Sequence, residues 1–461
     1  MQVVRDMRSL GVILLTAMAA AGSPGMIAAQ SPPPDGKIEQ GSANIQLVSH
    51  VPLGRAFSVG DIEIEQELTR PYVYVSRWEL GGVDILDISS PEKANIIYSW
   101  RIENAELHRG SGGTDGKYFK LDGRYYYIQA LQFLQGGPDA DLGAVVFDVT
   151  GLPDPAEIEE VGRIRTPDTP GGFHNLFAYK HSDGRVLLFA TAAGPHANIY
   201  DMEKFLSGDA ESGLIGRIPV PEFPCANQGM SSVYHDFYVA YHHETGQDRF
   251  YGASQPVGTY IFDISRPEEP GFLTSVACVP GVTRDHTFAV SPDGRYAIAE
   301  SHLRYSPIRV YDLESGLSGK TRVVDRPIGA WTADWKKHAH NLEMRWPYVF
   351  VANYMEGMQV FNMMDPTDPY TIGQFDTYDM PDSFAYGGGE SFFTEVANGA
   401  MGLDVRNADG LIVVSDFTTG FWAFRMDGFE GWNGEDWGMP NVSTVQDWEN
   451  GPTGIRRTVF E

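Results

Sequence analysis

Cysteine is nearly absent: two residues in 461 are too few for a disulfide-laced scaffold or a Cys-x-x-Cys zinc site. Basic side chains are also scarce, 34 against 61 acidic ones, giving a formal charge of −27. Phosphate binding needs a clustered positive surface, so this balance excludes nucleic acid as the main partner. The Gly-x-Ser-x-Gly elbow of α/β-hydrolases is missing, as is the Gly-x-Gly-x-x-Gly dinucleotide fingerprint, which removes two familiar enzyme classes. Beyond the N-terminus, no stretch is apolar enough to cross a bilayer. Apolar residues still make up 42% of the chain, enough for a packed core. Glycine (51) and proline (29) together supply many turns, as a β-rich protein requires.

The ends of the chain read differently from its middle. Arg5 and Arg8 precede an apolar run from Leu10 to Ala21, and small residues continue to Ala28-Ala29. That order describes a secretory signal peptide over residues 1–29, with an N-terminal membrane anchor as the alternative. Residues 30–39, with Pro32-Pro33-Pro34, form a flexible lead-in. The expectation is an exported protein, secreted or held in the periplasm or at the cell surface, with no transmembrane segment in its mature chain. Export would allow Cys225 and Cys278, 53 residues apart, to form a disulfide stabilising the fold by roughly 4 kcal/mol. Two buried thiols are the other reading. Residues 431–461 are rich in tryptophan and acids and read as a tail.

Between these ends one pattern recurs seven times: a Tyr- or Val-rich run, a short loop, Gly followed by alternating apolar residues, then Asp at a turn. The anchors are Asp87, Asp148, Asp201, Asp263, Asp312, Asn362 and Arg425, a period of about 56 residues and the size of a four-stranded propeller blade. The seventh unit lacks a fourth strand, whereas residues 44–53 read as a fourth strand with no blade before it. The expected fold is an all-β, seven-bladed β-propeller over residues 40–430, with the N-terminal strand pairing into the last blade. The anchor Asp residues fit backbone-bonding turn positions.

The motifs GGVDILDISSP (residues 81–91) and GTYIFDISRP (258–267) resemble the LVIVD-repeat family of secreted and cell-surface proteins. The resemblance implies a β-propeller outside the cytoplasm and no particular reaction. Copies six and seven depart from the pattern, with Asn362 and Arg425 at the Asp position.

Four histidines fall at one repeat position, the start of the innermost strand: His174, His235, His286 and His340. Neutral imidazoles from several blades could converge on one zinc, iron, copper or manganese ion. They could equally bond backbone across the seams between blades. Residues near the ends of the second strands should share that mouth, which makes Arg77, His196, His302, Tyr354 and Asp416 candidate ligand-binding groups, with Arg284 beside them. If a metal is present, Asp285 and Glu300 are the candidate proton carriers. Weaker signals read as ordinary turns: Pro138-Asp139-Ala140-Asp141, His242-His243-Glu244 and Gly319-Lys320-Thr321.

Two functions remain open at this point. One is a binding or interaction module taking a small molecule, glycan or protein at a His- and acid-lined mouth. The other is a metal-dependent hydrolase, lyase or oxygenase.

Overall fold

The alternating apolar runs form seven separate antiparallel sheets arranged in a ring in the computed structural model. The structure describes residues 40–452 except 55, 79–80, 109, 134–136, 209–212, 223–224, 226–231, 256, 281–284, 304, 336, 338, 379–397 and 435–445. The expected signal peptide, the lead-in and Arg284 lie outside the described residues. Among the described residues, no helix is long and apolar enough to cross a membrane.

Blade one comprises Ile62–Ile64, Tyr72–Arg77, Gly82–Asp87 and Asn95–Arg101, from the axis outward. Blade two follows with Gly112–Leu121, Arg124–Gln132, Leu142–Asp148 and Glu159–Arg165. Blade three contains Leu176–Lys180, Val186–Thr191, His196–Asp201 and Leu214–Pro219. Blade four has Val233–His242, Gln247–Gln255, Gly258–Asp263 and Gly271–Ala277, plus a parallel outer strand, Val323–Val324. Blade five is Asp285–Val290, Tyr296–Ser301, Ile308–Asp312 and Gly329–Trp331, and blade six is Leu342–Arg345, Tyr348–Ala352, Met358–Asn362 and Tyr370–Phe375. In blade seven, Ala400–Arg406, Leu411–Asp416 and Gly420–Met426 are joined by Ile45–Val51, which pairs antiparallel from Ile45↔Met426 to Val51↔Phe421. The inner strands of consecutive blades touch all the way round, blade seven against blade one included.

The repeat residues have local causes. Asp87, Asp148, Asp201, Asp263 and Asp312 each accept a hydrogen bond from the backbone N–H two residues on, at 2.7–3.1 Å. Asn362 does the same toward Met364 at 2.8 Å. These side chains end the third strand and start the turn to the fourth, a backbone role. The repeat glycine is required by close approach: a Cβ on Gly82 would lie 2.0 Å from the Trp100 carbonyl, and one on Gly258 2.2 Å from that of Val276.

The described parts of the tail pack onto the blades. Trp432 Nε1 donates to the Trp346 carbonyl at 2.9 Å, and Trp448 is buried near Tyr118 at the end of the ring remote from the histidines.

Midway along the axis, the inner strands bring six carboxylates together: Asp61, Glu63, Asp115, Asp236, Glu343 and Asp404. Lys117 stands among them, 3.0 Å from Asp115 and 3.3 Å from Glu63, and Arg345 pairs with Glu343 at 2.7 Å. Burial, with mutual repulsion among the acids, pushes Asp61 and Glu63 well above the usual carboxyl range and raises Asp236 and Asp404 to about 7. Raised values mean that the fold binds these protons more tightly than the unfolded chain does. That stability is complete at low pH and is lost as pH rises from the ordinary carboxyl range through the raised values. Replacing Glu63 by Gln keeps the shape and removes one charge. Thermal melts of Glu63→Gln against the parent should show the variant more stable at pH 8, by a few degrees, with the gain vanishing toward pH 4.

Candidate metal centre and cavity

The innermost strands do not begin in regular register. Pairing slips between Tyr234 and Asp236 in blade four and between Asp285 and Phe288 in blade five, so His235 and His286 occupy bulges. His174 and His340 stand two residues ahead of their strands, in segments still bonded to the neighbouring strand through Asn175 and Asn341 carbonyls. A bulge re-aims a side chain that regular alternation would turn into a seam, and here it points imidazoles toward the mouth. Ring centroids step from His174 to His235 (4.4 Å), to His286 (4.2 Å), to His340 (4.3 Å), forming a chain of rings across four blades. His302, just past the end of the second strand of blade five, lies 4.7 Å from His286.

His286, His302 and His340 are all buried, and each offers a nitrogen within 4.8 Å of those of the other two. Their remaining bonds decide which atom is offered. His340 Nδ1–H donates to the Met401 carbonyl at 2.6 Å, which leaves its lone pair on Nε2. His174 Nδ1 bonds Gln132 Oε1 at 3.0 Å in the same manner. His302 Nε2 shares a 2.8 Å hydrogen bond with the Tyr354 hydroxyl. His286 is different: it is wholly buried, and neither ring nitrogen makes a hydrogen bond. Glu300 Oε2 stands 3.2 Å from its Nδ1 without hydrogen-bond geometry, and both Glu300 oxygens are likewise unbonded. Unsatisfied buried nitrogen and oxygen cost on the order of 1–3 kcal/mol each.

Electrostatics keep the rings neutral. Burial, reinforced by the neighbouring imidazoles, lowers His286 and His235 well below the usual histidine range, and burial lowers His174 to about 4. Neutral imidazole is the form that ligates a metal. Burial and the nearby Asp285 and Asp236 push Glu300 well above the carboxylate range.

Above the rings is a cavity of about 600 Å³ whose walls include His174, His235, His302, His340, Trp78 and Phe417. Tyr354 and Met401 also line it. The other candidates are placed elsewhere. Arg77 is buried and bonded to Asp84, Ser58 and the Leu53 carbonyl, and Asp416 accepts the N–H groups of Thr418 and Thr419 at 2.8 Å each. In both blades it is the next residue, Trp78 or Phe417, that lines the cavity. His196 begins the third strand of blade three, away from the cavity walls, and Asp285 is held by the Thr259 and Ser301 hydroxyls at 3.2 and 3.3 Å. Asp139 and Asp141 pair with Arg165, His242 bonds Tyr251 at 2.7 Å, and Cys225 and Cys278 form a disulfide.

Comparison with protein-family models and with curated proteins returns no match for this chain.

Two kinds of histidine follow from these contacts, and stability separates them. In chelator-treated protein, His340→Leu loses its bond to the Met401 carbonyl and should melt lower, by about 1–3 kcal/mol of stability. His286→Leu removes two unsatisfied nitrogens and should leave the melting temperature unchanged or raised. Differential scanning calorimetry of both variants is the check.

Proposed function

We propose that the protein is an exported, metal-dependent enzyme that presents a transition-metal ion to a small molecule in the cavity at the propeller mouth. The observation that carries this reading is the convergence of His286, His302 and His340, with nitrogens within 4.8 Å, next to a cavity of about 600 Å³. Three protein ligands with an open side are characteristic of catalytic sites, where the ion keeps a position for water or substrate. Tetrahedral bonds of about 2.1 Å put ligand nitrogens about 3.4 Å apart, so binding would draw the three rings together from the 4.8 Å within which their nitrogens now lie. A bound ion would activate water or polarise a carbonyl.

In this reading Glu300, 3.2 Å from His286 Nδ1, is the positioning residue: once an ion offsets its burial, a small shift would let it accept the Nδ1 proton and leave Nε2 for the metal. Asp285, the first residue of the strand that carries His286, is a buried acid held by hydroxyls. A seven-bladed propeller also suits a pure interaction module, but a docking surface has no use for a wholly buried imidazole with both nitrogens unbonded. The repeat motifs and seven blades support kinship with LVIVD-repeat propellers. The N-terminal Arg-and-apolar segment and the Cys225–Cys278 pair support export to an oxidising compartment.

Elemental analysis of the purified mature protein tests the proposal. Close to one transition-metal ion per chain is expected, falling at least tenfold in His286→Ala/His302→Ala with the circular dichroism of the fold retained. Parent protein that takes up no zinc, iron, copper or manganese on reconstitution would overturn it and leave the mouth as a metal-free binding surface.

A further inference from the structure

We infer that the cavity above the histidines receives a molecule whose body is uncharged and carries a flat, largely apolar ring system. This deepens the metal-site reading by naming the class of molecule presented to it, while resting on the cavity walls themselves.

The first observation is one of charge. In a chain where 21% of residues are Asp, Glu, Lys or Arg, none of the 18 described residues lining the cavity is one of these. Among the described lining residues the ionisable nitrogen bases are the imidazoles of His174, His235, His302 and His340. With no ion bound, a charged ligand would give up its hydration here without meeting a charged side chain among the described lining residues, a cost no neutral contact repays. The acids of the channel are not in these walls: the inner strands carry them deeper along the axis.

The second observation is one of shape. Trp78, Phe417 and Tyr354 form a continuous aromatic wall, with Trp78 edge-on to Phe417 at 5.5 Å and Phe417 parallel to Tyr354 within 2° at 6.3 Å. Such a wall favours ring systems that stack or meet it edge to face. The lining also includes the small residues Gly171, Gly172 and Ala192. Gln132 and Gln255 supply neutral hydrogen-bonding groups, enough to orient a ligand through one or two polar atoms. A volume of about 600 Å³ is that of a site for a drug-sized molecule.

Two fluorescent dyes serve as probes, uncharged Nile red and anionic anilinonaphthalene sulfonate, titrated into the mature chain as purified and again after chelation, which removes the charge of any ion from the comparison. Nile red should bind saturably at one site, at least tenfold more tightly than the anionic dye in chelated protein. Ala193→Trp, at an exposed edge of the cavity, and Gln255→Glu, which adds one charge with little change of shape, should each weaken Nile red tenfold or more with unchanged melting temperature and metal content. A preference for the anionic dye in chelated protein, or Nile red binding indifferent to both substitutions, would overturn the inference. The two readings fail separately: protein without metal that shows this dye pattern sinks the metal site alone, and metal-loaded protein that binds no dye sinks the ligand class alone.

Discussion

Seven inner strands converge on one axis, and the polar side chains they carry there are buried or half-buried. That desolvation governs the chemistry of the whole centre. Charged forms are penalised, so histidines shed protons and carboxylates retain them unless a specific partner intervenes. Two cations stand among these acids: Lys117 between Asp115 and Glu63, and Arg345 beside Glu343. The outer strands face no such demand. Their charges pair at the surface, as Arg163 does with Glu103 and Glu160, and such pairs contribute little to stability.

The same crowding sorts the two ends of the axis. At the mouth, the strand-opening positions read Thr114, His174, His235, His286, His340 and Met401 from blade two to blade seven, and imidazoles fill the middle of that series. One residue further along, the series is Asp115, Asn175, Asp236, Thr287, Asn341 and Gly402, with Asp61 in blade one. Alternation along a strand turns neighbours to opposite sides, and the bulges at His235 and His286 then tilt the first row toward the cavity and leave the second row facing the channel. Gly402 shows how tightly the second row is fitted: a Cβ there would come 1.9 Å from Asp61 Oδ1.

The blades were legible because each repeat records its own turn. Asp87-Ile-Ser-Ser-Pro91 states both the hydrogen bond that ends a strand and the proline that cannot continue a ladder, and this local chemistry needs no tertiary context. The four strand-opening histidines were legible for the same reason, as a recurrence. What the pattern could not disclose was phase. Strict period-two reading put His235 and His286 on the seam-packing face, since a bulge leaves no mark in hydrophobic alternation. It also selected Arg77 and Asp416 as mouth residues where the side chains that reach the cavity belong to Trp78 and Phe417, one position on. The six channel carboxylates were invisible individually. They come from five different blades, and only closure of the ring makes them a group.

Holding unsatisfied groups such as His286 and Glu300 in place requires rigidity from elsewhere, because local relaxation would otherwise let water reach them. One covalent constraint lies close by in sequence, the disulfide. Cys225 lies ten residues before His235, and Cys278 eight residues before His286. The bridge therefore ties together the two segments that deliver neighbouring blades' histidines to the mouth. A loop of 53 residues closed in this way removes roughly 4 kcal/mol of conformational freedom from the unfolded chain, more than the cost of one orphaned buried nitrogen. The cross-link and the unbonded polar pair thus lie on neighbouring stretches of chain, the first limiting the unfolded state and the second offsetting some of that stability.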